Sequence, residues 1–393
     1  MRVAWIPPHF EYGERVFFPP SFFLARRLAQ RGLKTVIIAP RAFHEASYEV
    51  IDGVEVFRSS DFALPLKLFH YPIPIHLYSK IMQVVRELNI DILNWHGYHY
   101  LSAAWLPLIK RRLKIPCLLT VIGFPGVIWH YPVKAIDYIS RVYAYTLGKI
   151  ILKSADKVII DSPHNAIGAS KLGLAEEKLE YIPWGVDTEL FKPIPEKKHE
   201  VRAHLGFKED EFVVGYCGRL SPVKGIDTLL EAMKLLSGYN DKVRLLVIGG
   251  GGEGLGGDIY EKKVRALLGD KVVMTGWVKP EQVPFYWQAA DVAVQPSFAE
   301  GGPLGTMESA ACGLPVVASR TGGLQDMVDD GVTGFLIKPG DAEELGQKIK
   351  VFMESPNLRK EMGTASRSYI VKNFGWDEIT ERYVKLYAGL MER

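Results

Sequence analysis

Short runs of apolar, mostly β-branched residues alternate along this chain with longer stretches in which apolar positions recur every three or four residues. The short runs suit strands buried on both faces and the longer stretches suit helices that cover them, so the alternation predicts βαβ units around parallel sheets. Strands are expected at residues 3–6, 35–39, 54–58, 92–95, 117–121, 157–161 and 180–183, with helical spacing at 22–31 and 79–88. From Lys192 to Asp210 the pattern gives way to a polar, charged segment that opens Lys-Pro-Ile-Pro-Glu-Lys-Lys. It then restarts, with strands at 212–217, 243–248, 272–275, 292–295, 315–318 and 334–337 and helices at 226–236, 342–354 and 377–391.

This is the pattern of two doubly wound α/β domains in tandem, and 393 residues is more than one hydrophobic core usually supports. The expected organisation is a Rossmann-like domain at 1–190, a linker at 191–210, a second Rossmann-like domain at 211–375 and a closing helix at 376–393 that returns to the first domain. The fold class is α/β, with parallel sheets, helices on both faces and a cleft between the domains. In such sheets ligands gather beyond the carboxyl ends of the strands, so the loops after strands are where chemistry is sought.

Composition narrows the class. Hydrophobic residues make up 48% and charged residues 24%, an ordinary globular balance that argues against disorder. Cys117, Cys217 and Cys312 form no CxxC pair, so neither a disulfide framework nor a zinc site is expected, and a reducing compartment fits. The opening MRVAWIPP lacks the charge and apolar pattern of a secretory signal, giving a cytoplasmic expectation. Residues 115–133 are uncharged over nearly membrane-spanning length, but Pro116, Gly123, Pro125, Gly126 and Pro132 would break a helix there repeatedly. A net charge of +3 gives no reason to expect nucleic acid. Residues 1–190 hold 22 Lys+Arg against 17 Asp+Glu, leaving 26 against 28 in the remainder. The densest cluster is Lys110, Arg111, Arg112 and Lys114. Ordinary surface solvation explains such an excess, and a peripheral contact with an anionic acceptor or the inner membrane face is the sharper expectation.

The most informative segment runs from Pro296 to Gly313: Pro-Ser-Phe-Ala-Glu300-Gly-Gly-Pro-Leu-Gly-Thr-Met-Glu308-Ser-Ala-Ala-Cys-Gly. It reads as a strand end, a Gly-rich loop and a short small-residue helix, with free backbone amides expected from Gly302 to Thr306 between Glu300 and Glu308. A carboxylate accepts paired hydrogen bonds from vicinal sugar hydroxyls, and amides at a helix start suit a diphosphate. A second segment, Gly218-Arg219-Leu-Ser-Pro-Val-Lys224-Gly225, sets two cations around a turn between a strand and a helix. An Arg fork, a Lys point charge and a helix dipole together would neutralise a departing diphosphate without a metal.

These segments resemble the retaining glycosyltransferases of family 4, whose two facing Rossmann-like domains form the GT-B fold. The spacing of Glu300 and Glu308 is similar to that family's paired-glutamate motif, and Arg219 with Lys224 to its diphosphate-binding pair. Further matches are Tyr181-Ile-Pro-Trp-Gly-Val-Asp187, Phe191-Lys-Pro193, Ala290-Asp291-Val, Gly313-Leu-Pro-Val-Val-Ala318, Thr321-Gly-Gly323 and Gly331-Val-Thr-Gly-Phe335. The likeness is dense from about residue 156 onward and thin before it.

The resemblance implies that Glu308 binds the nucleotide ribose and that Glu300 lies near the transferred sugar. Arg219 and Lys224 would hold the diphosphate with amides around Leu304, Gly305 and Thr306, beside Gly218, while Val278 and Trp277 border the base. It also implies a UDP-, GDP- or ADP-sugar donor, a glycan, small-molecule or lipid-linked acceptor held by the first domain, and transfer without a metal or other cofactor. The sequence contains no Asp-x-Asp metal motif to oppose this. Two departures stand out: Ile122 occupies a position where many relatives carry a His, and Pro7-Pro8-His9-Phe10 replaces paired glycines in the first loop. His96, or else His99, is the candidate replacement; packing is the plain alternative for both. A binding protein without transfer activity, a phosphorylase or an epimerase of the same fold are the alternatives. Gly249 to Gly254 satisfies GxGxxG, but no acidic residue ends the next strand as a nicotinamide site needs, and a flexible loop beside the donor is the expectation. The aromatic-rich stretches 62–78 and 124–145 are expected mostly to pack, with 125–132 an irregular loop that would line an acceptor groove or touch a bilayer.

Overall fold

The computed structural model describes residues 1–8, 20–41, 46–61, 74–128, 130, 134–251 and 257–392. The chain forms two compact units: Met1–Trp184 with Ile379–Arg393, and Gly185–Glu378.

The first unit is built on an eight-stranded sheet of β1 (Arg2–Ile6), β2 (Lys34–Pro40), β3 (Tyr48–Ile51), β4 (Val54–Ser59), β5 (Ile92–His96), β6 (Cys117–Val121), β7 (Lys157–Ile160) and β8 (Leu179–Tyr181). Their order is β3-β4-β2-β1-β5-β6-β7-β8, parallel apart from the antiparallel β3–β4 pair. β1, β5 and β6 are almost wholly buried, which is why their apolar runs were legible. β3 escaped the sequence reading because Tyr48, Glu49 and Val50 lie at the sheet edge and carry no alternating pattern. Its signal was the Asp52-Gly53 turn, in which both residues take positive φ, 46° and 80°, as a two-residue hairpin demands.

The second unit holds six parallel strands, β9 (Phe212–Cys217), β10 (Val243–Ile248), β11 (Val272–Met274), β12 (Val292–Gln295), β13 (Val316–Ser319) and β14 (Gly334–Ile337), in the order β11-β10-β9-β12-β13-β14. The winding direction reverses between β9 and β12, and at that reversal the loops leaving the carboxyl ends part to opposite sides.

Residues 191–210 are not an isolated linker. They belong to the second unit and contain the helix Lys198–Leu205. Arg202, 3% exposed, pairs with Asp291 at 2.7 Å and donates to the carbonyls of Ala289, Glu209 and Glu211. The segment's charge suggested solvent, but this guanidinium is neutralised inside the unit. The helix Pro356–Phe374 was also missed, because it packs through small residues: a Cβ on Gly363 would meet the Gly313 carbonyl oxygen at 2.2 Å. In the first unit a helical run covers Lys134–Tyr143, a π turn at Ala144–Gly148 and Lys149–Ser154, through much of the expected aromatic stretch. Residues 62–73, 129 and 131–133 of the aromatic stretches lie outside the described residues, as do His9 and Phe10 of the first loop.

The closing helix Trp376–Met391 brings Tyr383 and Tyr387 into the first unit. Tyr383 packs on Trp5 at 5.7 Å, and Asn94 Nδ2 donates to the Tyr387 hydroxyl at 3.2 Å. Thr120 donates in turn to Asn94 Oδ1, so the buried amide has partners at both ends. No described helix is long and apolar enough to cross a membrane.

Candidate functional site

β9 ends at Cys217 and hands the chain to Gly218, whose φ of 147° turns it sharply. A Cβ on Gly249, which follows β10, would lie 2.6 Å from the Gly218 carbonyl oxygen, so both glycines are needed where these strand ends meet. After Gly218 the chain passes Arg219, a 3₁₀ turn at Pro222–Lys224 and Gly225, then enters the helix Ile226–Tyr239. Gly225 is held at φ 69°, and a Cβ there would come within 1.8 Å of the Pro296 carbonyl oxygen. The loop after β9 therefore rests directly on the loop after β12, across the topological reversal.

That contact delivers Lys224 to Glu300. The ammonium lies 2.7 Å from Glu300 Oε1 and 2.8 Å from Oε2. Ser297, wholly buried, donates to Oε1 at 2.7 Å, and Gln295 Nε2 reaches the same oxygen at 3.2 Å and Ser297 Oγ at 2.8 Å. Burial drives the Tyr216 phenol well above its ordinary pKa, the Glu300 charge adding to the effect, while Gln295 and Arg219 oppose it. Tyr216 donates to the Arg219 carbonyl at 2.8 Å, steadying the turn that carries the arginine. Gly322 and Gly323 close over the Glu300 loop from the far side, where added Cβ atoms would fall 1.9 Å from the carbonyl oxygens of Glu300 and Gly301.

Arg219 is exposed, and its guanidinium has no acidic partner among the described residues. The two expected diphosphate cations thus differ: Lys224 is committed to Glu300 and Arg219 is uncommitted.

The helix Leu304–Ala311 begins against the end of β9, where a Cβ on Gly305 would lie 2.8 Å from the Cys217 carbonyl oxygen. The expectation of free amides from Gly302 to Thr306 is corrected in part. Pro303 has no N–H, Leu304 donates to the Gly302 carbonyl at 2.9 Å and Thr306 to that of Pro303 at 3.1 Å, because the loop tightens into a turn before the helix. The amides of Gly302 and Gly305 have no partner among the described residues. The hydroxyls of Thr306 and Ser221 are buried without a hydrogen-bond partner among the described residues.

Glu308 sits in this helix, partly buried, and its carboxylate has no hydrogen bond or ion pair among the described residues. Burial pushes it up to about 7, and its charge in turn helps raise the thiols of Cys217 and Cys312 beyond what burial alone does. Val278, partly buried, follows the end of β11 beside the exposed Trp277. Among the glycines of 249–254, Gly249 to Gly251 are described and Gly251 N–H bonds Glu261 at 2.5 Å; the remaining two, Gly252 and Gly254, lie outside the described residues.

Thus Gly218, Arg219, Lys224, Val278, Glu300, Leu304, Gly305, Thr306 and Glu308 all follow carboxyl ends of strands of the second sheet. His96 belongs to the first unit. It ends β5, is 6% exposed and lies with its ring 5.4 Å from that of Trp184. Burial lowers His99 to about 4, so it is neutral at physiological pH. Sequence reasoning gave no role to Gln295 or Tyr216; Ser297 was quoted only as part of a motif. Their signal is position, at or just beyond the carboxyl ends of β12 and β9.

Residues 22–190 match the family described as Glycosyltransferase Family 4, and residues 197–369 match Glycosyl transferases group 1. The chain is a glycosyltransferase of the GT-B fold. A D-inositol 3-phosphate glycosyltransferase from Streptosporangium roseum is 29% identical over 93% of this glycosyltransferase and 86% of its own length. Among solved structures, sucrose-phosphate synthase from Thermosynechococcus elongatus superposes with a TM-score of 0.84 at 26% identity, covering 100% of this chain and 99% of that one. Anabaena HepE, solved in complex with UDP and glucose, superposes with a TM-score of 0.76 at 20% identity over 99% and 100% of the two chains, a likeness of fold.

Proposed function

We propose that this glycosyltransferase moves a hexose from a nucleotide-diphospho-sugar held by its second unit to a glycan, small-molecule or lipid-linked acceptor held by its first, with retention at the anomeric carbon and without a metal. The observation that carries the reading is the carboxylate of Glu308, without a partner among the described residues and half-buried in a helix whose first turn, at Gly305, lies against the end of β9. An unpaired carboxylate out of water is costly, and two vicinal ribose hydroxyls are donors that would satisfy it. The complex of HepE with UDP and glucose, and the group 1 match over 197–369, support a sugar nucleotide as the ligand.

In this reading Arg219 and the Gly305 amide hold the diphosphate beside Gly218, Leu304 and Thr306, and Val278 borders the base. Lys224 is shared between Glu300 and the phosphate next to the sugar. The bond from the anomeric carbon to the phosphate oxygen breaks with its electron pair leaving on phosphate, where the cations stabilise the charge. The acceptor oxygen bonds the same carbon, and its proton passes to the departing phosphate. Glu300, fixed by Ser297, Gln295 and Lys224, faces the transferred sugar, and His96 is assigned to the acceptor side.

The test is to supply UDP-, GDP- and ADP-sugars without acceptor and follow released sugar by proton NMR. Release of one sugar with its anomeric configuration retained, unaffected by a chelator, supports the reading. An inverted first product contradicts retention, and binding without any release, even with acceptors added, favours a sugar-nucleotide-binding protein.

A further inference from the structure

The helix Lys134–Tyr143 is amphipathic in the wrong sense for a globular protein. A surface helix normally turns its apolar stripe inward. Here none of its residues is fully buried, and Tyr138, Ile139 and Val142 stand 69%, 67% and 45% exposed. The side facing the unit carries Ile136, Asp137, Ser140 and Tyr143, all partly buried. It is firmly seated there: Tyr143 donates to the Tyr98 carbonyl at 2.9 Å, His130 bonds Asp137 at 3.0 Å, and the backbone at Arg141 lies against Gly126. The outward stripe is therefore not an unsatisfied core face awaiting a better packing within the unit. It continues through Tyr145 and Leu147 of the π turn to Ile150, which is 56% exposed.

The charge on this run is one-sided. Lys134, Arg141, Lys149 and Lys153 accompany a single acid, Asp137, which His130 already engages. None of the four cations is ion-paired among the described residues. The adjoining helix Leu106–Arg112 packs against Lys149–Ser154 and adds exposed Arg111 and Arg112. A second copy of the chain meeting this face would bring like charges together, which opposes association. An apolar stripe bordered by unpaired cations instead matches the boundary of an anionic bilayer, where the stripe enters the acyl edge and the cations meet lipid phosphates.

We propose that the run 134–154 is a membrane-docking face by which the first unit lies on an anionic lipid surface. This gives a specific surface to the expected peripheral contact and does not depend on the donor or on the transfer reaction.

The experiment is flotation of the full chain with vesicles containing phosphatidylglycerol and, separately, pure phosphatidylcholine vesicles. Wild type is expected to float with the anionic vesicles and to lose binding as salt is raised. The triple variant Tyr138→Ser/Ile139→Ser/Val142→Ser should bind at least about tenfold more weakly, since it removes most of the inserted apolar area. The pair Lys134→Gln/Arg141→Gln should lose about fivefold per charge. All substituted positions are exposed, so circular dichroism melts should match wild type. No binding to anionic vesicles, or equal binding by the triple variant, overturns the proposal. So does a dimer in sedimentation velocity that the triple variant abolishes, because the face would then be a contact between copies.

Discussion

Lys224 Nζ lies within hydrogen-bond distance of both carboxylate oxygens of Glu300, at 2.7 and 2.8 Å. The pair bridges the loops after β9 and β12, the two strands between which the second sheet reverses direction. Glu300 is almost fully buried while Lys224 keeps some exposure, so the carboxylate depends on its partners more than the ammonium does.

If Arg219 and Lys224 hold the diphosphate as proposed, removing either is expected to weaken donor binding. Arg219→Ala or Lys224→Ala should cost roughly 1.5 to 3 kcal/mol, the range for a hydrogen bond to a charged group. The two differ in a second readout: Lys224→Ala leaves Glu300 with one fewer partner and should also lower Tm, whereas exposed Arg219 should not. Titration calorimetry with UDP, GDP and ADP, alongside melting curves, measures both.

Ser297 touches Glu300 and is buried away from solvent, so in the proposed function it acts as a positioning residue. Ser297→Ala should reduce kcat by about tenfold while changing KM little, since small displacements of a reacting group are costly. Ser297→Thr, which keeps the hydroxyl, should recover part of that loss. An equal rise in KM with kcat preserved would assign Ser297 to donor binding instead.

Glu308 gives a pH dependence with a definite sign. Its folded pKa, about 7, is above its ordinary value of 4.5. The group therefore stabilises the ligand-free fold at pH below 4.5, and that contribution is lost as pH rises from 4.5 through 7. With the proposed ribose contact, donor binding runs the other way, because the hydroxyls donate best to the ionised carboxylate: affinity should climb as pH rises toward and through 7. Fluorescence titrations at several pH values should show this slope in wild type and its absence in Glu308→Gln.

Gly225→Ala is expected to destabilise the second unit by about 2–4 kcal/mol, since positive φ and a backbone oxygen at 1.8 Å both oppose a Cβ. Chemical denaturation reads it directly. A change below about 0.5 kcal/mol would mean that the two loops do not touch as described.

Most strands could be read from sequence because they are buried on both faces and need no partner to be recognised. β3 could not be, since an edge strand owes its place to β4, and only Asp52-Gly53 announced it. Arg202 misled for an electrostatic reason, its charge being cancelled by Asp291, 89 residues away in the chain. The loops that gather the candidate site were legible, because Gly218, Gly225 and Gly305 mark where backbones approach closely. The Lys224–Glu300 pair was not, as a spacing of 76 residues carries no hint of a contact. The outward apolar stripe of Tyr138, Ile139 and Val142 was equally hidden, because periodicity gives a face and not the side on which water lies.

Glu308 is proposed as the seat of a nucleotide-sugar donor. Thermal-shift titration of wild type and Glu308→Ala with UDP-, GDP- and ADP-sugars tests it most directly. One donor class is expected to raise the Tm of wild type in proportion to the logarithm of its concentration, and Glu308→Ala, itself folded, is expected to lose that shift. Equal stabilisation of both proteins by the same donor would contradict it.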